Sequence, residues 1–125
     1  MRNNYYKTKK VNGFDSKFEY RKYLELTHML KAKQIKDFKI QIPIDLIHND
    51  YKVCTYIMDF VIYHLDNTVE LLETKGKSEP VWSLKYKLLK AMYAHRDDIK
   101  ITVEFQGKGR EPKPTKVKKG FVQPI

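Results

Sequence analysis

The chain is predicted to be an α/β domain of the α+β kind, ordered helix, three strands, helix, strand, with a central mixed sheet flanked by helices. Three observations carry that expectation. An amphipathic segment with a capping pattern opens near Ser16, three alternating apolar runs follow between Phe38 and Lys75, and a second helical stripe precedes a last alternating run at 99–105. With 125 residues there is room for one core and not for two. The boundaries fall at a basic N-terminal arm, 1–12, a folded body, 13–105, and a basic tail, 106–125, rich in Gly, Pro and Lys and expected to stay disordered until it binds a partner.

The first helix starts after the Asn12-Gly13 turn. Ser16 followed by Glu19 makes a capping box, and Phe14 supplies the apolar half of a hydrophobic staple. Phe18, Leu26 and Leu30 anchor a face that runs to about Lys33, with Tyr23 and Met29 beside it. Phe38, Ile40, Ile42, Ile44 and Leu46 then alternate with mostly polar residues as a half-buried strand, and Pro43 places it at an edge or a bulge. His48-Asn49-Asp50 turns the chain into a second strand, Tyr51 to His64, in which Cys54, Tyr56, Met58, Phe60 and Ile62 are expected on one side and Thr55, Ile57, Asp59, Val61 and Tyr63 on the other. Asp66-Asn67 gives the next turn and Thr68 to Lys75 the third strand. The second helix is expected over Val81 to His95, packing Leu84, Leu88, Ala91 and Met92, with Trp82, Tyr86, Leu89 and Tyr93 widening the apolar face.

Composition narrows the function classes. No apolar run is long enough to span a membrane, and residues 1–10 lack the apolar segment of a signal peptide, so a cytoplasmic protein with no membrane partner is expected. Cys54 is the single cysteine; it supports neither an intrachain disulfide nor a cysteine zinc site and reads as a buried, inert thiol. His28, His48, His64 and His95 show no ligand spacing. The net charge of +10 sits at the ends: residues 1–10 contribute +4 and residues 106–125 contribute +5, leaving the body nearly neutral. Two basic arms on a neutral body suit a polyanion, and nucleic acid is the expected partner. The candidate contacts are Lys7, Lys9 and Lys10 in the arm, Lys77 and Lys85 around the second helix, and Lys108, Arg110, Lys116, Lys118 and Lys119 in the tail. Tyr5 and Tyr6 are placed to stack on bases or to dock on the domain itself.

The body carries a chemical pattern in its second and third strands. Glu73 and Lys75, two apart on a strand, share a face, and Thr74 points the other way. Asp59 is a lone acid in an apolar run; pairing of the two strands would bring it beside Glu73. Burying an unpaired carboxylate is expensive, so Asp59 calls for a cation or a hydrogen-bond network. Two carboxylates with a lysine beside them suit a hard divalent cation and a managed water or phosphate, which points to metal-dependent phosphodiester hydrolysis. Glu19 is either a third acid over the sheet or the second half of its capping box. A Glu-x-Lys triplet alone is common and only ties Glu73 to Lys75 weakly; an acid about fourteen residues earlier and a capped helix acid add the specificity. Without a cation the three acids would repel one another and raise at least one pKa.

Element order and motifs together resemble the PD-(D/E)xK nuclease superfamily, with its restriction-endonuclease-like core. The phrases that match are Phe14-Asp15-Ser16-Lys17-Phe18-Glu19, Tyr56-Ile57-Met58-Asp59-Phe60 and Glu73-Thr74-Lys75-Gly76, within residues 13–105. Met58 stands where the family name has proline. Within the superfamily the chain looks most like small phage-encoded endonucleases of the Holliday-junction resolvase (endonuclease I) type. That resemblance implies a Mg²⁺-dependent endodeoxyribonuclease, with Mn²⁺ as a substitute. It implies Asp59, Glu73 and the Thr74 carbonyl as metal ligands, Glu19 as ligand to a second ion, and Lys75 orienting or deprotonating the attacking water. It also implies branched DNA as substrate, a homodimer matched to a two-fold junction, and a phage-encoded or bacterial setting. A restriction-like or transposon-end nuclease acting on linear duplex, and a non-catalytic nucleic-acid-binding module, are the alternatives.

Overall fold

The computed structural model describes residues 13–125. The elements are α1 (Lys17–Lys31), β1 (Asp37–His48), β2 (Tyr51–Tyr63), β3 (Val69–Lys75), α2 (Pro80–Met92) and β4 (Ile99–Phe105), in the predicted order and within a few residues of the predicted bounds. Ser16 caps α1, its Oγ accepting from the Glu19 amide at 3.1 Å, and Phe14 closes over the first turns against Tyr20 and Tyr23. Pro80 opens α2, where its missing N–H costs nothing.

The four strands form one mixed sheet in the order β1-β2-β3-β4. β1, β2 and β3 form an antiparallel meander. Asn49 and Asp50, both with positive φ, make the tight hairpin between β1 and β2. β3 and β4 are parallel, and α2 supplies the crossover such a pair requires. Pro43 lies on edge strand β1, where its lost donor does no damage.

Helices cover both faces. Leu26 of α1 packs with Ile35, Phe60, Ile62 and Leu72 on one side. Trp82, Tyr86 and Leu89 of α2 pack with Leu46, Tyr56, Met58, Val61 and Leu71 on the other. Two details depart from expectation. The buried stripe of α2 is Trp82, Tyr86 and Leu89, with Leu88 and Met92 half-buried beside it; Leu84 is 71% exposed and Ala91 is exposed, because both stripes fit a helical period and the larger rings remove more apolar area from water. The second departure is in β2, whose even-numbered residues do not share one face. Tyr56 and Met58 belong to the α2 layer, whereas Phe60 and Ile62 belong to the α1 layer. The exchange happens at Asp59, where pairing with β1 skips Gln41, a residue held at φ 54°. A left-handed residue inside a strand breaks the simple alternation there.

α1 buries two charged side chains, Glu19 and Lys22, alongside Leu26. Lys22 Nζ is bound by Glu104 Oε2 of β4 at 2.9 Å and by Glu25 at 3.2 Å, tying the helix to the far edge of the sheet. Glu19 instead meets Gln41 of β1, near Asp59, where the candidate site lies.

Candidate functional site

The pairing of β2 with β3 ends at Phe60 opposite Leu72. Asp59 and Glu73, next in register, are therefore released from the ladder. The Thr74 amide and hydroxyl both donate to Asp59 Oδ2, at 2.9 and 2.8 Å. The acid that stands alone in the sequence is thus received by β3. Burial nevertheless outweighs those two bonds and the nearby Lys75, and the Asp59 carboxyl lies above its ordinary range.

Glu73 is only 6% exposed. Its Oε1 is the one buried side-chain oxygen or nitrogen among the described residues without a hydrogen-bond partner, and its Oε2 stands 3.9 Å from Lys75 Nζ. Burial first, and the Asp59 charge second, push its pKa to about 8. Lys75 and the Tyr56 hydroxyl pull the other way without offsetting that burial, and the unpartnered Oε1 is costly unless a cation or a proton relieves it. Lys75 Nζ is shared: it also lies 3.5 Å from Glu79 Oε1 and 5.2 Å from the centre of the Trp82 ring. A cleft of about 450 Å³ opens over Glu73, Lys75, Glu79 and Trp82, and Lys85 reaches its wall by donating to the Thr55 carbonyl at 3.3 Å.

Glu19 enters from α1 and is 4% exposed. Its carboxylate does not complete the capping box. Instead its Oε2 accepts from Gln41 Nε2 at 2.6 Å. Burial, then Asp59, then Asp15, push its pKa to about 7. Sequence reasoning missed Gln41 and Asp15 beside Glu19, and Tyr56, Glu79 and Trp82 beside Glu73 and Lys75, of which Tyr56 and Trp82 read as packing residues. Gln41 occupies a polar position in an alternating strand and reads as solvent-facing; its role arises from the left-handed turn of the backbone, which leaves no mark in composition. Asp15 precedes a helix cap and reads as an ordinary helix-start acid.

Asp59, Glu73, Thr74 and Lys75 are thus gathered at the C-terminal end of β3, with Glu19 in electrostatic reach of both acids. They are not drawn into a cage. Among the described residues no group of three or more His, Cys, Asp or Glu side chains stands in position to hold a metal ion. Glu19 is held by Gln41 and Asp59 is held by Thr74. The donor set itself, oxygen-only with one orphaned buried oxygen, suits a hard divalent cation.

The predicted phosphate contacts are scattered. Lys77 is exposed just beyond β3, and Lys108, Arg110, Lys116, Lys118 and Lys119 are exposed in a segment without helix or strand. Lys7, Lys9 and Lys10, with Tyr5 and Tyr6, lie outside the described residues. The family model for proteins of unknown function (DUF1064) matches residues 3–107. The chain belongs to the DUF1064 family. No curated protein and no solved structure matches it. The DUF1064 match spans the whole sheet, both helices and every residue of the cleft named above. No helix of the described residues is long and apolar enough to cross a membrane.

Proposed function

We propose that this DUF1064 chain is a metal-dependent DNA endonuclease that hydrolyses phosphodiester bonds, with branched, junction-like DNA as its substrate and a homodimer as its working form in the cytoplasm of a phage-infected or bacterial cell. The observation that carries the reading is the buried, unpartnered Glu73 oxygen beside Lys75, with Asp59 next in register. A purely structural ion pair has no need of an orphaned carboxylate oxygen, whereas a cation site does. The choice of branched DNA, Mg²⁺ and a dimer rests on the resemblance of the Asp59 and Glu73-Thr74-Lys75 motifs to junction-resolving nucleases.

Asp59 and Glu73 would hold the metal, with the Thr74 carbonyl as a further oxygen and Glu19 as the acid that reaches a second ion. Bound there, Mg²⁺ would supply Lewis-acid polarisation of the phosphate and a more acidic water. Thr74 fixes the Asp59 carboxylate through its amide and hydroxyl. Lys75 donates from Nζ to the attacking water and to the phosphate oxygen on which charge grows, and Glu79 and Trp82 hold the ammonium over the cleft. The water oxygen bonds to phosphorus, one P–O ester bond breaks with its electron pair on the sugar oxygen, one water proton ends on that oxygen, and the other is released. Cleavage of a labelled four-way junction and of a linear duplex of the same sequence, in Mg²⁺ and in Mn²⁺, tests the reading. Nicking of the junction with the duplex spared is expected; failure to cut either substrate in either metal refutes catalysis, and cutting of the duplex alone refutes the branched preference.

Gln41 allows a sharper prediction. A non-glycine residue at φ 54° in a strand is strained by about 1 kcal/mol relative to glycine. Gln41→Gly is expected to unfold at an equal or higher temperature than the wild type, yet to cut junctions about 10- to 100-fold more slowly, because Glu19 loses the donor that aims it. Gln41→Ala keeps the strain, loses the donor and is expected to be less stable than Gln41→Gly. Equal cleavage by Gln41→Gly and wild type contradicts a positioning role.

A further inference from the structure

The C-terminal segment after β4 has no regular structure, but its first part is fastened across α2. The Gln106 amide donates to the Lys75 carbonyl at 2.9 Å, extending the β3–β4 pairing by one bond. At Gly109 any side chain would run into the Phe105 ring, so the backbone passes where only glycine fits. Two residues on, the Glu111 carboxylate accepts from the Tyr86 hydroxyl at 2.7 Å and from Lys90 Nζ at 2.8 Å. Burial alone would raise the Glu111 pKa, but those two donors outweigh it and hold the carboxyl below its ordinary range, so the clamp is ionised at neutral pH.

The strap so fastened forms one wall of an open groove, of about 560 Å³, along α2. Ser78, Ser83 and Lys87 line it from the helix side, and Arg110 and Lys113 line it from the strap with Glu111 between them. Among the described residues none of Lys87, Arg110 and Lys113 has a carboxylate within ion-pair distance. Residues 1–12 contain no acid to supply one. The groove's own carboxylate is engaged by Lys90 and Tyr86. Three cations gathered from two separate segments around one hollow, with two hydroxyls and a single acid, Glu111, that Lys90 and Tyr86 already engage, leave a net positive charge that an anion would offset.

We propose that this groove between strap and helix is a phosphate-binding site that takes a phosphodiester group of the DNA backbone, separate from the Glu73–Lys75 cleft. The identity of the polyanion rests on the nuclease reading; the groove does not. Its position fits that use. Ser78 and Ser83 flank residues 79–82, which line the cleft itself, so a strand lying across the first turn of α2 presents one phosphate to Lys75 and another to Arg110 and Lys113. The arginine adds a planar fork matched to phosphate oxygens.

Fluorescence anisotropy of a labelled duplex, titrated in EDTA so that cutting plays no part, tests the site. The variant K87A/R110A/K113A is compared with K31A/K33A/K36A, which removes the same charge from exposed positions at and just after the end of α1, away from the groove and from the predicted DNA contacts. The groove variant is expected to bind about 10- to 100-fold more weakly and to flatten the log–log salt dependence by about 2 to 3, with a much smaller loss in the control. Glu111→Gln separates the site from diffuse charge by sign: it makes the protein more positive, yet it unfastens the strap and is expected to weaken binding. Equal losses in the two triple variants, tighter binding by Glu111→Gln, or no binding of DNA by the wild type each overturn the proposal. A wild-type protein that binds as expected but cuts nothing refutes the nuclease reading and leaves the phosphate site standing.

Discussion

Asp59→Asn is expected to bind a four-way junction as tightly as the wild type and to cut it at least about a thousandfold more slowly, a loss of about 4 kcal/mol in transition-state stabilisation. The substitution is nearly isosteric, and an amide oxygen in place of Oδ2 still accepts from the Thr74 amide and hydroxyl, so the β2–β3 junction keeps its shape. What disappears is the negative charge that, on the proposed reading, would help hold a cation beside Glu73. Lys75→Met should behave alike for a different reason: it keeps an unbranched apolar side chain of similar length and removes the ammonium that lies over Trp82 and faces Glu73, Glu79 and the cleft. Single-turnover cleavage with saturating protein, alongside binding in EDTA, separates the two effects. Full activity in either variant contradicts the assignment of the cleft.

Glu73→Gln is expected to stabilise the metal-free protein at alkaline pH and to change little at pH 5. The carboxyl of Glu73 is raised to about 8 in the folded chain from an ordinary value of 4.5, chiefly by burial. A folded pKa above the unfolded one means that the native state holds a proton the unfolded chain releases. The contribution is therefore fully present below about pH 4.5 and is lost as pH rises through about 8. At about 1.4 kcal/mol per unit of pKa difference, the loss is on the order of a few kcal/mol. Glu19, raised to about 7, adds a smaller loss in the same direction. Thermal unfolding in EDTA should show the wild type losing about 10 °C or more in Tm between pH 5 and pH 8.5, and Glu73→Gln losing clearly less. Millimolar Mg²⁺ should recover the wild type at pH 8.5 and fail to recover Glu73→Gln, because only a carboxylate gains from the cation. A flat wild-type Tm over that range argues against a strained acid pair.

Much of the fold was legible in the chain because its signals are local. Ser16 caps its helix three residues from its partner, Asn49 and Asp50 turn within two residues, and β4 alternates cleanly from Ile99 to Phe105. The α2 stripe was misread toward Leu84 and Ala91 because two stripes fit the same period and only the sheet beneath selects one. In β2, alternation carried through Asp59 as though the strand were regular, whereas the left-handed Gln41 opposite exchanges its layers.

The same division holds at the site. Residue types and spacing alone determined that the chain builds helix, three strands, helix and strand, and that Glu73 and Lys75 share a face, since both follow from short-range geometry. Only the tertiary structure decided that Thr74 receives Asp59, that Gln41 and not Ser16 takes the Glu19 carboxylate, and that one oxygen of Glu73 is buried without a donor. Those outcomes depend on where the β2–β3 ladder stops and on which groups are then shut away from water. Burial and long-range contact, unlike alternation and capping, are properties of the assembled layers and have no signature in neighbouring residues.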